Sequence, residues 1–364
     1  MIWIAALIFV AMAGVFGVVY LTGAISRFEW VRKLSGEKKW LRRLISFGLI
    51  ALGFGIVTLA ISLVDAIVVF LHVLFFFLVY GLLFRIIKSA TGKTPKIYWQ
   101  GWLALLTSVV YLAVGYYQCV NVWQTDYRLS SDKLTAPLRI AMFADSHVST
   151  TFDGDGFAAY LDEIMAQEPD ILLIPGDFVD DWSKREDMLR ACGALGSAKP
   201  RYGVWFVYGN HDEGFFSNRD FSAQELAQAL EANGVHILED EIAYVGELCI
   251  VGRRDAMLGD RMELSELLRD ADESKYIIVL DHEPTDYEAE AATAADLVVS
   301  GHTHGGQLIP LTWIGERFGG NDRSYGHETR NGTDFIVTSG ISDWAMHFKT
   351  GTRSEYVIID IDSN

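Results

Sequence analysis

The chain opens with four long apolar stretches and then changes rhythm. The stretches cover residues 2–22, 44–64, 66–87 and 101–119, each near the ~20 residues a helix needs to cross a hydrocarbon core of about 30 Å. The second and third are separated only by Asp65. Taken as one helix they have about twice the needed length, so a tight hairpin with Asp65 at its tip is expected. Residues 1–120 therefore read as a four-span transmembrane region, 121–137 as a polar connector ending at Pro137, and 138–364 as a separate domain. In that domain short apolar runs alternate with amphipathic ones. Strands are predicted at 138–143, 170–175, 203–208, 248–252, 276–280, 296–300, 334–338 and 355–361. Helices are predicted at 156–167, 185–196, 222–233, 262–270 and 285–294. Such alternation indicates an α/β domain with buried sheets.

Charge follows the same division. Residues 1–125 carry 11 Lys/Arg against 3 Asp/Glu, while the remainder carries 19 against 44. The acidic rear has no basic stripe, which argues against a protein that tracks nucleic-acid backbone. The front's cations gather in two loops, Arg27 to Arg43 and Arg85 to Lys96, and neither the hairpin tip nor the N-terminus has any. By the positive-inside rule both loops are cytoplasmic. The expected arrangement is a multi-pass cell-membrane protein, partnered by the lipid bilayer, with its C-terminal domain on the extracytoplasmic side. Trp99, Trp102, Tyr116, Tyr117 and Trp123 flank the fourth span where interfacial aromatics belong. No Lys or Arg precedes Arg27, so the first stretch reads as a retained span rather than a cleaved signal with a basic n-region. Cys119, Cys192 and Cys249 are widely spaced and odd in number, against a disulfide framework or a structural zinc site; a single Cys192–Cys249 bridge stays open.

Chemistry-bearing residues follow the apolar strands. Asp145-Ser146-His147, Gly176-Asp177-Phe178-Val179-Asp180, Gly209-Asn210-His211-Asp212, Asp281-His282-Glu283-Pro284 and Gly301-His302-Thr303-His304 each stand just past one, where open α/β sheets place their sites. Singly each is weak, since a strand-end Asp is often a helix cap and Asp180 and Asp181 can simply shape a loop. His72, His236, His327 and His347 read as structural. Together, Asp145, His147, Asp177, Asn210, His282, His302 and His304 offer carboxylate, amide and imidazole donors without thiolate. That mixture suits Mn²⁺, Fe or Zn²⁺. Seven donors suit two ions sharing one carboxylate, and such pairs clamp both oxygens of a phosphoryl displacement.

The ordered set Asp-x-His, Gly-Asp-x-x-Asp, Gly-Asn-His-Asp, His-x-Pro and Gly-His-Thr-His resembles the calcineurin-like metallophosphoesterase superfamily over about residues 138–362. The run through Gly306-Gln307 and the stretch 351–355 look like its bacterial branch of membrane or wall-associated phosphodiesterases, with Ser354 where that branch tends to show proline. The resemblance implies an αββα sandwich. It places one divalent ion on Asp145, His147, Asp177 and His304 and a second on Asp177, Asn210, His282 and His302, Mn²⁺ foremost. It makes His211 the catalytic histidine, oriented by Asp212. The expected activity is hydrolysis of a phosphodiester or pyrophosphate in an envelope or lipid-linked substrate by metal-activated water. A phosphomonoesterase, a protein phosphatase and a catalytically silent membrane sensor are the alternatives. Phe215, Phe216, Trp313, Trp344 and Phe348 are candidates to contact acyl chains, and Arg253 and Arg254 to hold a distal phosphate.

Overall fold

The structure is a computed structural model describing residues 2–36, 38–214, 218–318 and 320–364. The chain divides into two compact units, Met1–Tyr116 and Tyr117–Asn364.

The first unit is helical: α1 (Ile2–Ile25), α2 (Glu29–Ser35), α3 (Lys39–Ala60), α4 (Leu63–Thr91) and most of α5 (Trp99–Val120). Among the described residues α3, α4 and α5 are each long and apolar enough to cross a membrane, and Val10–Ile25 with Glu29–Ser35, bent by 83°, forms a fourth candidate. Asp65 is not the tip of the hairpin. Ser62 caps α4, its Oγ accepting the Asp65 N–H at 3.0 Å and donating to Asp65 Oδ2 at 2.6 Å, and this reciprocal cap draws Asp65 into the first helical turn. At the far end α4 runs on through its basic residues to a left-handed Gly92, because cations suit the last turn of a helix.

Among its described residues the second unit carries twelve strands in two six-stranded sheets. In chain order they are β1 (Val122–Ser131), β2 (Leu138–Met142), β3 (Ile171–Pro175), β4 (Val204–Val207), β5 (Val235–Ile237), β6 (Glu241–Val245), β7 (Leu248–Gly252), β8 (Tyr276–Leu280), β9 (Leu297–Ser300), β10 (Gly326–Arg330), β11 (Thr333–Val337) and β12 (Ser354–Ser363). The sheets run β1-β12-β2-β3-β4-β5 and β10-β11-β9-β8-β7-β6, with β2 to β5 parallel in one and β7, β8, β9 and β11 parallel in the other. Their inner faces share one apolar core, including Ile140, Leu173 and Val207 from one sheet and Ile250, Ile278 and Val299 from the other. The outer face of the first packs on α6 (Gly154–Met165), α7 (Arg185–Ser197) and α8 (Ala223–Ala232). That of the second packs on the short α9 (Leu264–Leu267) and α10 (Tyr287–Glu290). This is the expected four-layer sandwich.

The stretch expected as a connector is instead largely β1, paired in parallel with β12 from Val122↔Ser354 to Ser131↔Ser363. Its residues alternate half-buried and exposed, so its polarity marks the solvent side of an edge strand. An additional helix, α11 (Leu311–Phe318), follows the Gly-His-Thr-His loop. The three cysteines are buried and none is in a disulfide among the described residues, so Cys192 and Cys249 are not bridged.

Candidate metal centre

Parallel strands of both sheets end at the same edge, so loops distant in sequence converge there. The β2 loop brings Asp145 and His147, β3 brings Asp177, β4 brings Asn210 to Asp212, β8 brings His282, and β9 brings His302 and His304. Asp145, His147, Asp177, His302 and His304 all have positive φ, from 36° to 70°, a conformation costly for L-residues and concentrated at functional sites. Two glycines permit the approach: a Cβ on Gly209 would lie 2.3 Å from Asp177 Oδ1, and one on Gly176 would lie 2.5 Å from His282 Nδ1.

The side chains form two groups. Ligand-type atoms of Asp145, His147 and His304 lie within 4.8 Å of one another, as do those of Asp177, His282 and His302. His147 Nε2 is 3.2 Å from His304 Nε2, and Asn210 Oδ1 is 3.2 Å from His282 Nε2 and 3.0 Å from His302 Nδ1. Asp177 links the groups, its Oδ2 standing 3.2 Å from His282 Nε2 and 3.8 Å from His147 Nε2. Its Oδ1 accepts the His211 main-chain N–H at 2.9 Å. The His211 ring lies 5.2 Å from that of His147 and 5.1 Å from that of Trp344.

Electrostatics show a site that requires positive charge. Burial works to raise the Asp177 pKa, but the imidazoles of His282, His147 and His211 outweigh it and hold the carboxyl well below the usual range. Burial works to lower the His282 pKa, and Asp177 and Asp145 overcome it and raise it well above the usual imidazole value. Burial pushes His147 well down, and burial with the His282 charge takes His302 to about 3. Asp145 Oδ2 and His147 Nδ1 are buried without hydrogen-bond partners. The low proton affinity of His147 and His302, an unsatisfied carboxylate oxygen and two donor groups sharing Asp177 fit a pair of divalent cations.

Outer partners hold these donors. His282 Nδ1 donates to the Pro175 carbonyl at 2.8 Å, turning Nε2 into the site. Asp212, expected to orient His211, does something else. Its carboxylate accepts main-chain N–H groups of Asp177, Phe178, Val179 and Gly209 at 2.8–3.0 Å. It thereby ties the β3 loop to the β4 loop, and its acceptor positions are filled by backbone. Arg219 braces the same turn through the Asp212 carbonyl at 2.7 Å. Asp180 Oδ1 accepts the Trp182 N–H at 2.8 Å, and its Oδ2 lies 3.8 Å from His147 Nδ1.

Asp343 and Lys349 escaped the sequence reading. Asp343 Oδ1 is 3.5 Å from His304 Nδ1 and 3.3 Å from Lys349 Nζ. Lys349 is fully buried and donates to the carbonyls of Ser339 at 2.5 Å and Ser342 at 3.1 Å. The available signal was a charged pair inside the apolar C-terminal loop.

The expectations for Arg253, Arg254 and Phe348 need correction. Arg253 is 1% exposed and bound to Asp281, Asp286 and Glu290 at 3.0–3.1 Å, so its guanidinium is buried among carboxylates and closed off from a substrate phosphate. Arg254 pairs with Glu239 at 3.3 Å. Phe348 is buried, Trp313 is exposed on α11, Trp344 meets His211, and Phe215 and Phe216 lie outside the described residues. Ser354 donates to the Cys119 carbonyl at 2.7 Å. His236 stacks on Trp205 and His327 bonds Asp334, structural roles both.

A two-sheet sandwich with paired carboxylate–imidazole groups at its strand ends defines a metallophosphoesterase-type domain. The chain belongs to the calcineurin-like phosphoesterase family, whose sequence model matches residues 138–306. It is 30% identical to an uncharacterized metallophosphoesterase of Aquifex aeolicus over 244 residues, 65% of this chain and 90% of that one. It is 29% identical over 323 residues to a transmembrane protein with metallophosphoesterase domain of Danio rerio, 79% of this chain and 70% of that one. An uncharacterized metallophosphoesterase of Helicobacter pylori is 27% identical over 232 residues, 62% of this chain; the match spans 60% of that relative's length.

Proposed function

We propose that the chain is a membrane-anchored, two-metal phosphoesterase that hydrolyses a phosphodiester or pyrophosphate bond. One observation carries this reading: Asp177 Oδ2 faces His282 Nε2 at 3.2 Å and His147 Nε2 at 3.8 Å, a single carboxylate oxygen between two donor groups. Asp145, His147, Asp177 and His304 would hold one ion, and Asp177, Asn210, His282 and His302 the other, with Mn²⁺ the first choice. When bound, the pair supplies Lewis acidity and an activated water. The protein's own part is orientation and proton delivery. Asp177 fixes the His211 backbone, Trp344 supports its ring, and the half-buried imidazole serves the leaving oxygen as proton donor. Asp212 holds the two loops in register.

The apolar helices and the two basic loops support anchoring through residues 1–120, with the catalytic domain outside. An envelope or lipid-linked substrate suits that placement. Trp313 and Phe318 are 60% and 79% exposed on α11, and Glu316 of that helix accepts the N–H of Ser324, whose carbonyl accepts from Thr303 of the ligand loop.

The test uses the full chain in detergent, stripped of metal and assayed on chromogenic phosphodiester and phosphomonoester with and without Mn²⁺. Metal-dependent diester turnover, lost in Asp177→Ala and reduced about 10²–10⁴-fold in His211→Ala, is the expected result. Faster monoester turnover would reassign the substrate class. Failure to bind metal would overturn the reading.

A further inference from the structure

The helical unit holds a second place where charge and shape converge. A hollow of about 360 Å³ is lined by Tyr20, Arg27, Gly81, Arg85, Lys88 and Lys96, among others. Gly81, Arg85 and Lys88 are spaced i, i+4, i+7 on α4, so they share one helix face. Arg27 lies just past the end of α1, and Lys96 sits in the segment joining α4 to α5. Gly81 makes the room, since a Cβ there would lie 2.7 Å from the Tyr20 hydroxyl.

The walls are held in place. Tyr20 donates its hydroxyl proton to the Phe77 carbonyl at 3.1 Å. Tyr98, another lining residue, packs edge-on against Phe28 at 5.0 Å. Among the described residues the cations are left uncompensated. No carboxylate lines the hollow, and none pairs with Arg27, Arg85, Lys88 or Lys96 among the described residues. Glu29 is engaged with Lys33 at 2.8 Å. Asp65 lies at the opposite end of α4, twenty residues from Arg85 and so about 30 Å away. The C-termini of α1 and α4 contribute about half a negative charge each. Four side-chain charges exceed that threefold or more.

We propose that this hollow binds a phosphate-bearing anion at the membrane surface: the headgroup of an anionic phospholipid, or a free phosphate of the same chemistry. Its volume falls within the range of small-ligand sites. Basic recesses between membrane helices beside the headgroup layer are suited to such groups, and Tyr98 and Trp99 supply the amphipathic rings of that layer. The site is separate from the metal centre, and the proposal rests on reading α3, α4 and α5 as membrane-spanning.

The test measures binding of radiolabelled phosphatidylglycerol in neutral detergent micelles to the full, metal-stripped chain, with labelled pyrophosphate in a parallel arm. Arg85→Gln/Lys88→Gln/Lys96→Gln is compared with the charge-matched Lys38→Gln/Lys39→Gln/Arg43→Gln, which leaves the hollow intact. At least a tenfold loss in the first triple, against less than threefold in the second, is expected. Retention of the lipid against excess pyrophosphate assigns the site to a headgroup, and displacement assigns it to a free phosphate. Equal loss in both triples, or no binding of either probe by the unaltered chain, overturns the proposal. Hydrolysis by the remetallated protein reads the metal centre independently, so the two readings fail separately.

Discussion

His147 Nε2 and His304 Nε2 face one another at 3.2 Å across a sequence separation of 157 residues. Two imidazole nitrogens this close in a buried site need a shared cation or a shared proton. Chelation is therefore expected to destabilise the C-terminal unit. An ion present at a hundred times its dissociation constant stabilises by about 2.7 kcal/mol, so stripping it should lower the unfolding midpoint by several degrees and Mn²⁺ should restore it. Calorimetry on the full chain with and without chelator measures this. An unchanged midpoint counts against metal occupancy.

Asp343 stands behind His304 and Lys349 behind Asp343. Removal of such an outer partner commonly costs 10–100-fold in metal affinity. Asp343→Asn is expected to weaken one of two ions by about that factor and leave the other near its original affinity. Titration calorimetry with Mn²⁺ resolves the two. In a His304→Ala background the same substitution should cost nothing further, because the effect passes through the imidazole.

Arg253 is buried among Asp281, Asp286 and Glu290. Truncating one member of a buried ionic cluster leaves charge uncompensated and typically costs about 3–5 kcal/mol. Arg253→Ala should lose stability on that scale in urea unfolding while its KM for a diester stays unchanged. A raised KM with normal stability would return Arg253 to the substrate.

Cys192 gives an alkaline signature. Burial, with a smaller contribution from the Asp212 charge, pushes its thiol from 9.0 up to about 12. Above pH 9 the unfolded chain releases this proton and the folded chain keeps it. The stability due to Cys192 is thus whole below pH 9 and lost as pH rises toward about 12, at up to ~1.4 kcal/mol per unit. Cys192→Ala should flatten the stability profile there. The native thiol should also resist alkylation at pH 8 and react on unfolding.

Much of the fold was legible because its signals are local. Buried parallel strands are continuous apolar runs, and β7 and β8 fall where Leu248–Gly252 and Tyr276–Leu280 predict them. The missed strands β1, β5, β6 and β10 are the sheet edges and are largely half-buried or exposed, so their outward polar residues resemble loop. Asp65 was misplaced for a related reason: a charge between apolar runs marks a break, but Ser62 decides on which side of it the helix begins.

The sequence by itself determined the donor types and their position after strands, because both depend on residue identity and on order along one strand. Only the tertiary structure decided which donors meet. His282 reaches Pro175 across 107 residues, and Asp212 reaches four backbone amides instead of its neighbour's ring. The packing of two sheets through a common core sets those contacts. Periodicity reports which face a side chain leaves by, and carries no information about what a distant loop places in front of it.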